Sequence, residues 1–249
     1  MTRPATALGA EHALLASLRR SAILTAGVVA LTAVVFVLVA DHGTLARIQR
    51  LDDAWLRLMI SGRAPALTAV AKVFNVLGLV YVTLPVRIAV AGFIALRRRW
   101  WHLAAFTAAV VVSEVLIGSL KGIYDRARPP GSLVATSGAS FPSGHAVAAS
   151  VTVVAAVIAL APAGRRRALW GAAAVAFSIL MGLSRAYLGA HWLSDATAGI
   201  LLGTSCALLA ALIAGLLQQR QHRRRHPART QRPAGVPPPE HAERGRRPA

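Results

Sequence analysis

Between two long apolar runs the chain reads Ser-Arg-Ala-Tyr-Leu-Gly-Ala-His-Trp-Leu-Ser-Asp, from Ser184 to Asp195. An arginine, a histidine and a carboxylate thus stand where hydrocarbon-facing sequence tolerates none. His191 and Asp195 are four apart, so on a helix they share a face and the carboxylate can hold the imidazole. Asp195 would then accept one ring N–H and leave the other nitrogen free to attack or to take a proton. Arg185 adds a planar cation suited to a phosphate or carboxylate.

These residues need partners, and the apolar segments supply a way of bringing them. With 249 residues, 55% of them hydrophobic, and a mean hydropathy of +0.55, the chain reads as a membrane protein. Spans are expected at about 21–40, 78–96, 103–120, 142–161, 168–183 and 191–217. Residues 1–20 form a cytoplasmic N-terminal segment and 218–249 an Arg- and Pro-rich tail with little to bury, expected to be disordered. The stretch 41–77 reads as amphipathic helices at an interface, with no interpretable motif.

The net charge of +19 comes from 26 arginines and only two lysines, Lys72 and Lys121. The arginines fall in short blocks beside apolar runs, at 97–99 and 165–167 for example, which points to topology and a lipid surface rather than nucleic acid. Counted across six spans, that asymmetry places both termini in the cytoplasm. Within the spans, Arg87 and Glu114 fall at similar depths and are expected to pair.

Six spans bring Lys121, Pro142 to His145, Arg185 and His191 to one membrane face. Lys121, Arg128 and Arg185 are three cations with few carboxylates nearby, as a phosphate requires. Phe141-Pro142-Ser143-Gly144-His145 places Ser143 and Gly144 at the mouth of a helix, where backbone N–H groups favour an anion. With His191 and His145 on the same face, one candidate nucleophile and one candidate acid are present, and the composite reads as phosphoryl transfer. The single cysteine, Cys206, lies in an apolar run, away from any arginine loop, which argues against a thiol phosphatase. Only Asp125 and Asp195 among the nine acidic residues lie near the site, so a two-metal centre is not expected.

Lys121, six residues, Arg128-Pro129; Pro142-Ser143-Gly144-His145; and Ser184-Arg185, five residues, His191, three residues, Asp195 together resemble the three-part signature of the type 2 phosphatidic acid phosphatase (PAP2) family. The resemblance departs at no signature position. It implies an all-α, six-transmembrane helix bundle of the PAP2 and vanadium haloperoxidase-like type. It further implies that His191 attacks phosphorus to form a phosphohistidine, that Asp195 holds His191, and that His145 protonates the leaving oxygen. Lys121, Arg128, Ser143, Gly144 and Arg185 would cradle the phosphate, with no metal or other cofactor.

On this reading the partner is a lipid phosphate or diphosphate, such as phosphatidic acid, phosphatidylglycerol phosphate or a polyprenyl (undecaprenyl) diphosphate. It would be met at the extracytoplasmic face of the plasma membrane. A phosphotransferase using a lipid or sugar alcohol as acceptor is the near alternative. A non-catalytic lipid-phosphate transporter or binding protein is the distant one.

Overall fold

The computed structural model describes residues 17–225, so most of the N-terminal segment and the tail from 226 onward lie outside the described residues. Within that range the chain is helical without strands. The elements are α1 (Leu18–Ala40), α2 (His42–Ser61), α3 (Pro65–Leu77), α4 (Val80–Leu96), α5 (Trp100–Tyr124), α6 (Gly144–Leu160), α7 (Arg165–Tyr187) and α8 (Leu193–Arg225). The stretch 218–225, expected to be part of a disordered tail, is instead the last two turns of α8. Its Gln- and Arg-rich sequence contains no helix breaker until Pro227, so the helix simply runs on.

The apolar surface faces outward, the reverse of a water-soluble protein. Ile23, Leu24, Leu31, Val34 and Val37 of α1 are all exposed. Four helices, α1, α5, α7 and α8, are long and apolar enough to cross a membrane; α3 and α4 qualify as one broken span, bent by 55°. α6 is apolar but has 17 residues. The six crossings expected from hydropathy are therefore four by length alone, or five with the bent pair, and α6 falls short of the length criterion.

α6 is the centre of the bundle, with α5, α7 and α8 packed around it, and α1 lies on α8. Two glycines make this possible. A Cβ on Gly199 would stand 2.7 Å from the Ser143 carbonyl oxygen, and one on Gly203 would stand 2.6 Å from that of Val147. Gly199 and Gly203, one turn apart on α8, thus let its backbone lie against that of α6, the small-residue packing that membrane helices use in place of a hydrophobic driving force. We expect Gly203→Ala to lower the stability of the detergent-solubilised protein by about 1–3 kcal/mol, because the α6 backbone at Val147 and Val151 must yield as well as the Ser150 hydroxyl. Gly92→Ala, where a Cβ meets nothing within 4 Å, serves as the control in the same thermal unfolding assay.

Away from the end of the bundle where α5 and α7 stop, polar contacts join the helices. Arg87 Nη1 donates to Glu114 Oε1 at 2.7 Å, as depth matching predicts, and its Nε donates to Thr152 Oγ1 at 2.9 Å on α6. The arginine so ties α4 to both α5 and α6. Thr32 and Ser205 hydroxyls meet at 2.8 Å between α1 and α8.

Candidate active site

The site forms at one end of the bundle, where α5, α6, α7 and α8 end or begin. α5 stops at Asp125, which adopts φ +35° and returns its N–H to the Lys121 carbonyl at 3.1 Å. That turn sends the chain into the 126–143 loop instead of a longer helix. Arg128 then threads the loop: Nε donates to the Gly138 carbonyl and Nη2 to that of Ser137, both at 2.8 Å. Lys121 Nζ donates to the Ala139 carbonyl at 2.6 Å, and Arg128 Nη2 reaches the same oxygen at 3.2 Å. The two cations converge on one loop carbonyl.

His191 is not on the helix with Asp195, as i,i+4 spacing predicts. It lies in the turn before α8, whose first residue is Leu193. Its Nδ1 is 3.8 Å from Asp195 Oδ2, while the Ser140 carbonyl oxygen is 2.8 Å from the same nitrogen. A carbonyl only accepts, so Nδ1 carries the ring proton. Arg128 Nη1 stands 3.2 Å from Nε2, and a guanidinium only donates, so Nε2 presents a lone pair. The ring is thus aimed by Ser140, and Asp195 acts one step back. Asp195 Oδ2 accepts a short hydrogen bond from the Ser140 hydroxyl and another from the Trp192 N–H at 3.0 Å. The latter is the carboxylate half of a capping box, which starts α8 where it does. Burial holds the His191 imidazole well below its usual 6.5, at about 4, against the opposing pull of Asp195 and with Arg128 and Arg185 adding to the depression.

His145, in the first turn of α6, faces the other side of the site. Its Nε2 lies 3.2 Å from the Asn75 carbonyl oxygen at the end of α3, which places a proton on Nε2. Asn75 also accepts through Oδ1 from Arg185 Nη1 in a short contact. A Cβ on Gly78 would stand 2.8 Å from His145 Cγ, so the break between α3 and α4 makes room for the ring. Arg185 itself is 2% exposed in the last turn of α7.

Two buried polar atoms here, Ser143 Oγ and Arg185 Nε, have no hydrogen-bond partner among the described residues. Such atoms are costly unless something satisfies them, and both are donors suited to an anion. The Ser143 N–H is already engaged by the Asp195 carbonyl at 3.1 Å, which fixes the start of α6 beside the start of α8.

Every residue of the expected site is thus found at this end: Lys121, Arg128, Ser143, Gly144, His145, Arg185, His191 and Asp195. Four more belong to it that spacing did not single out: Asp52, Asn75, Arg126 and Ser140. Arg126 Nη1 donates to Asp195 Oδ1 at 2.7 Å, and its Nη2 to Asp52 Oδ2 at 2.8 Å. Asp52 had one visible signal. It lies on the apolar stripe Leu45, Ile48, Asp52, Leu56, Met59 of α2, where a carboxylate must have a buried partner.

The PAP2 superfamily profile matches residues 99–218. Phosphatidylglycerophosphatase B of Bacillus subtilis (strain 168) is 30% identical over 161 residues, which cover 63% of this chain and 79% of that protein. The chain belongs to the PAP2 superfamily.

Solved structures agree on the fold. The transmembrane PAP2-type phosphatidylglycerolphosphate phosphatase from Bacillus subtilis superposes with a TM-score of 0.64 at 22% identity, over 79% of this chain and 96% of that one. LpxE of Aquifex aeolicus superposes at 0.52 with 25% identity, over 62% of this chain and 91% of that one. A PAP2 fold with its apolar helices exposed makes the chain an integral membrane protein.

Proposed function

We propose that this protein is a phosphatase that hydrolyses a lipid phosphate or diphosphate at the extracytoplasmic face, through a phosphohistidine at His191 and without a metal. The observation that carries the reading is the pairing of a lone pair on His191 Nε2 with buried, unsatisfied donors at Ser143 and Arg185. A phosphate held by Lys121, Arg128, Arg185, the Ser143 hydroxyl and the first N–H groups of α6 would present its phosphorus to that lone pair.

The Nε2–P bond forms as the bond to the leaving oxygen breaks. Burial, with Arg185 beside it, lowers the His145 pKa to about 3; a bound phosphate dianion favours the imidazolium, whose Nε2 proton passes to that oxygen and leaves the ring neutral. A water then attacks phosphorus and gives a proton back to His145. The N–P bond breaks, and inorganic phosphate leaves with His191 neutral again. Throughout, the Ser140 carbonyl stabilises the Nδ1–H of the cationic intermediate.

Six crossings and cytoplasmic termini belong to this proposal. α6 spans about 26 Å at 1.5 Å per residue, close to a hydrocarbon core of about 30 Å. The α3–α4 pair would complete the sixth by entering beside the site. The arginine blocks at 97–99 and 165–167 lie at the opposite end and favour the cytoplasm. The Bacillus subtilis enzyme matched by sequence and by structure is named for phosphatidylglycerol phosphate, which puts that lipid first among those to be assayed.

The test is phosphate release by purified protein in detergent from phosphatidylglycerol phosphate, phosphatidic acid and a polyprenyl diphosphate, with and without chelator and with and without added lipid alcohol. Release unaffected by chelator supports the reading. Release from none of the lipids would end it, and phosphorylated alcohol in place of free phosphate would make the protein a transferase. The acid limb of kcat/KM is expected near 4 and not near 6.5, because His191 loses its lone pair only below its depressed pKa. An acid limb that stays near 6.5 once the titration of the substrate phosphate, with its second pKa at about 6, has been accounted for would remove His191 from the nucleophile's role.

A further inference from the structure

Behind the reacting groups lies a buried chain of polar contacts that starts on α2, the amphipathic helix without an interpretable motif. Asp52 is 2% exposed and is, with Leu56, one of the two buried residues of α2. A carboxylate buried on an otherwise half-exposed helix is costly unless paired. Its partners are Arg126 Nη2 at 2.8 Å, the Ser194 N–H at 2.9 Å and the Ser194 hydroxyl at 2.6 Å. Arg126, 9% exposed, gives its other terminal nitrogen to Asp195 Oδ1 at 2.7 Å and to Ser194 Oγ at 2.7 Å. Gln49 Oε1 takes a second bond from Nη2 at 2.7 Å, and the Trp192 ring lies 5.6 Å from the guanidinium carbon.

We propose that Asp52 is a positioning residue for the reaction: by occupying one end of Arg126 it keeps the Asp195 carboxylate on Ser140, and Ser140 aims the His191 ring. This rests on the phosphoryl-transfer reading above. The physical reason is competition for the guanidinium. An arginine with a single carboxylate prefers the fork-to-fork pair, in which both oxygens are engaged. Here Asp52 and Asp195 each take one end, so Asp195 presents only Oδ1 to Arg126. Its Oδ2 stays on the Ser140 hydroxyl and the Trp192 N–H. Ser140 is tied from the other side as well, its N–H donating to the Arg126 carbonyl at 2.8 Å. With the charge at position 52 removed, Asp195 is the one remaining counter-ion, and bidentate capture by Arg126 draws Oδ2 away from Ser140. The Ser140 carbonyl then no longer holds Nδ1 in place.

Asp52 touches neither His191 nor the cradle, so its effect should appear in the transition state and not in phosphate binding. Asp52→Asn keeps an oxygen for the Ser194 N–H and loses the charge. We expect it to lower kcat about 10–100-fold, the size of effect that outer partners of reacting groups carry, with KM within about twofold. Asp195→Asn alone should lower kcat further, and the double variant should fall no lower than Asp195→Asn, because Asp52 acts through Asp195. A merely structural role would instead multiply the losses.

A second readout needs no turnover. Orthovanadate, which can bond to His191 Nε2, should bind Asp52→Asn at least about tenfold more weakly, while inorganic phosphate changes by less than about twofold. Ser194→Ala removes the shared hydroxyl and leaves both ion pairs. That variant is the control and is expected to keep vanadate within about threefold of wild type. Should Asp52→Asn fail to fold, Arg126→Lys, a point charge that cannot serve Asp52 and Asp195 at separate ends, is expected to lose vanadate relative to phosphate by about tenfold. Unchanged vanadate binding, an equal loss of both anions, or multiplicative kinetics would overturn the proposal. If vanadate behaves as expected and no lipid is hydrolysed, the phosphatase reading fails and the role of Asp52 stands; if lipid is hydrolysed and Asp52→Asn is indifferent, the reverse holds.

Discussion

His191→Asn is expected to retain less than about one part in ten thousand of the wild-type rate of phosphate release, with the fold intact. Asparagine is the informative substitution because its side-chain N–H can replace Nδ1–H as donor to the Ser140 carbonyl. What disappears is the lone pair on Nε2, the atom beside Arg128. His191 is 3% exposed, so a cavity-forming alanine would confuse loss of chemistry with loss of packing. Thermal unfolding of the variant should match the wild type within a few degrees, roughly the effect of a ΔΔG below 1 kcal/mol. Rapid quench of the wild type with radiolabelled substrate should trap an acid-labile, base-stable phosphoprotein, and the variant should trap none. Residual activity within tenfold of the wild type would show that another group attacks phosphorus.

Arg185 carries the second large effect. It is a guanidinium with one terminal nitrogen engaged by Asn75 Oδ1 and a buried, unpartnered Nε. A phosphate can take the Nε–H and draw on a charge that burial leaves weakly screened. Arg185→Gln should cost about 10²–10³ in kcat/KM, the loss expected from one preorganised donor to a transition-state oxygen. Arg185→Lys keeps the charge but offers a point donor instead of a fork, and should recover less than half of that loss on a logarithmic scale. The split between the constants matters. A fall confined to KM would make Arg185 a ground-state binder, while a fall in kcat places it on the charge that grows at transfer.

Both residues are legible in the amino-acid sequence because their chemistry is local. A histidine, a carboxylate and an arginine within twelve positions, bounded by apolar runs, announce a polar site at a helix end. Span parity then gathers Lys121 and Ser143 to the same face. The depth of Arg87 and Glu114 likewise follows from counting residues along two antiparallel spans, and their 2.7 Å pair agrees. The lengths of the spans depend on packing as well as on hydropathy. α6 is 17 residues and α3 with α4 form a bent pair, and hydropathy alone does not show where a helix breaks or how far it tilts.

The twelve residues from Ser184 to Asp195 show where the division falls. Their sequence determined that a histidine, an arginine and a carboxylate lie together at a helix junction, because residue type and hydrophobic boundaries are properties of the chain itself. Only the tertiary structure decided how His191 is held. α8 starts at Leu193, one residue after the capping residue Trp192, so His191 leaves the helical face it would have shared with Asp195. The ring then finds its hydrogen-bond partner in a loop more than fifty positions away, and Asp195 turns instead to Ser140 and to Arg126, which Asp52 holds from α2. Contacts of such long sequence separation leave no periodicity in the chain. They come into being when the backbones of α6 and α8 close on Gly199 and Gly203 and bring four helix ends to one place.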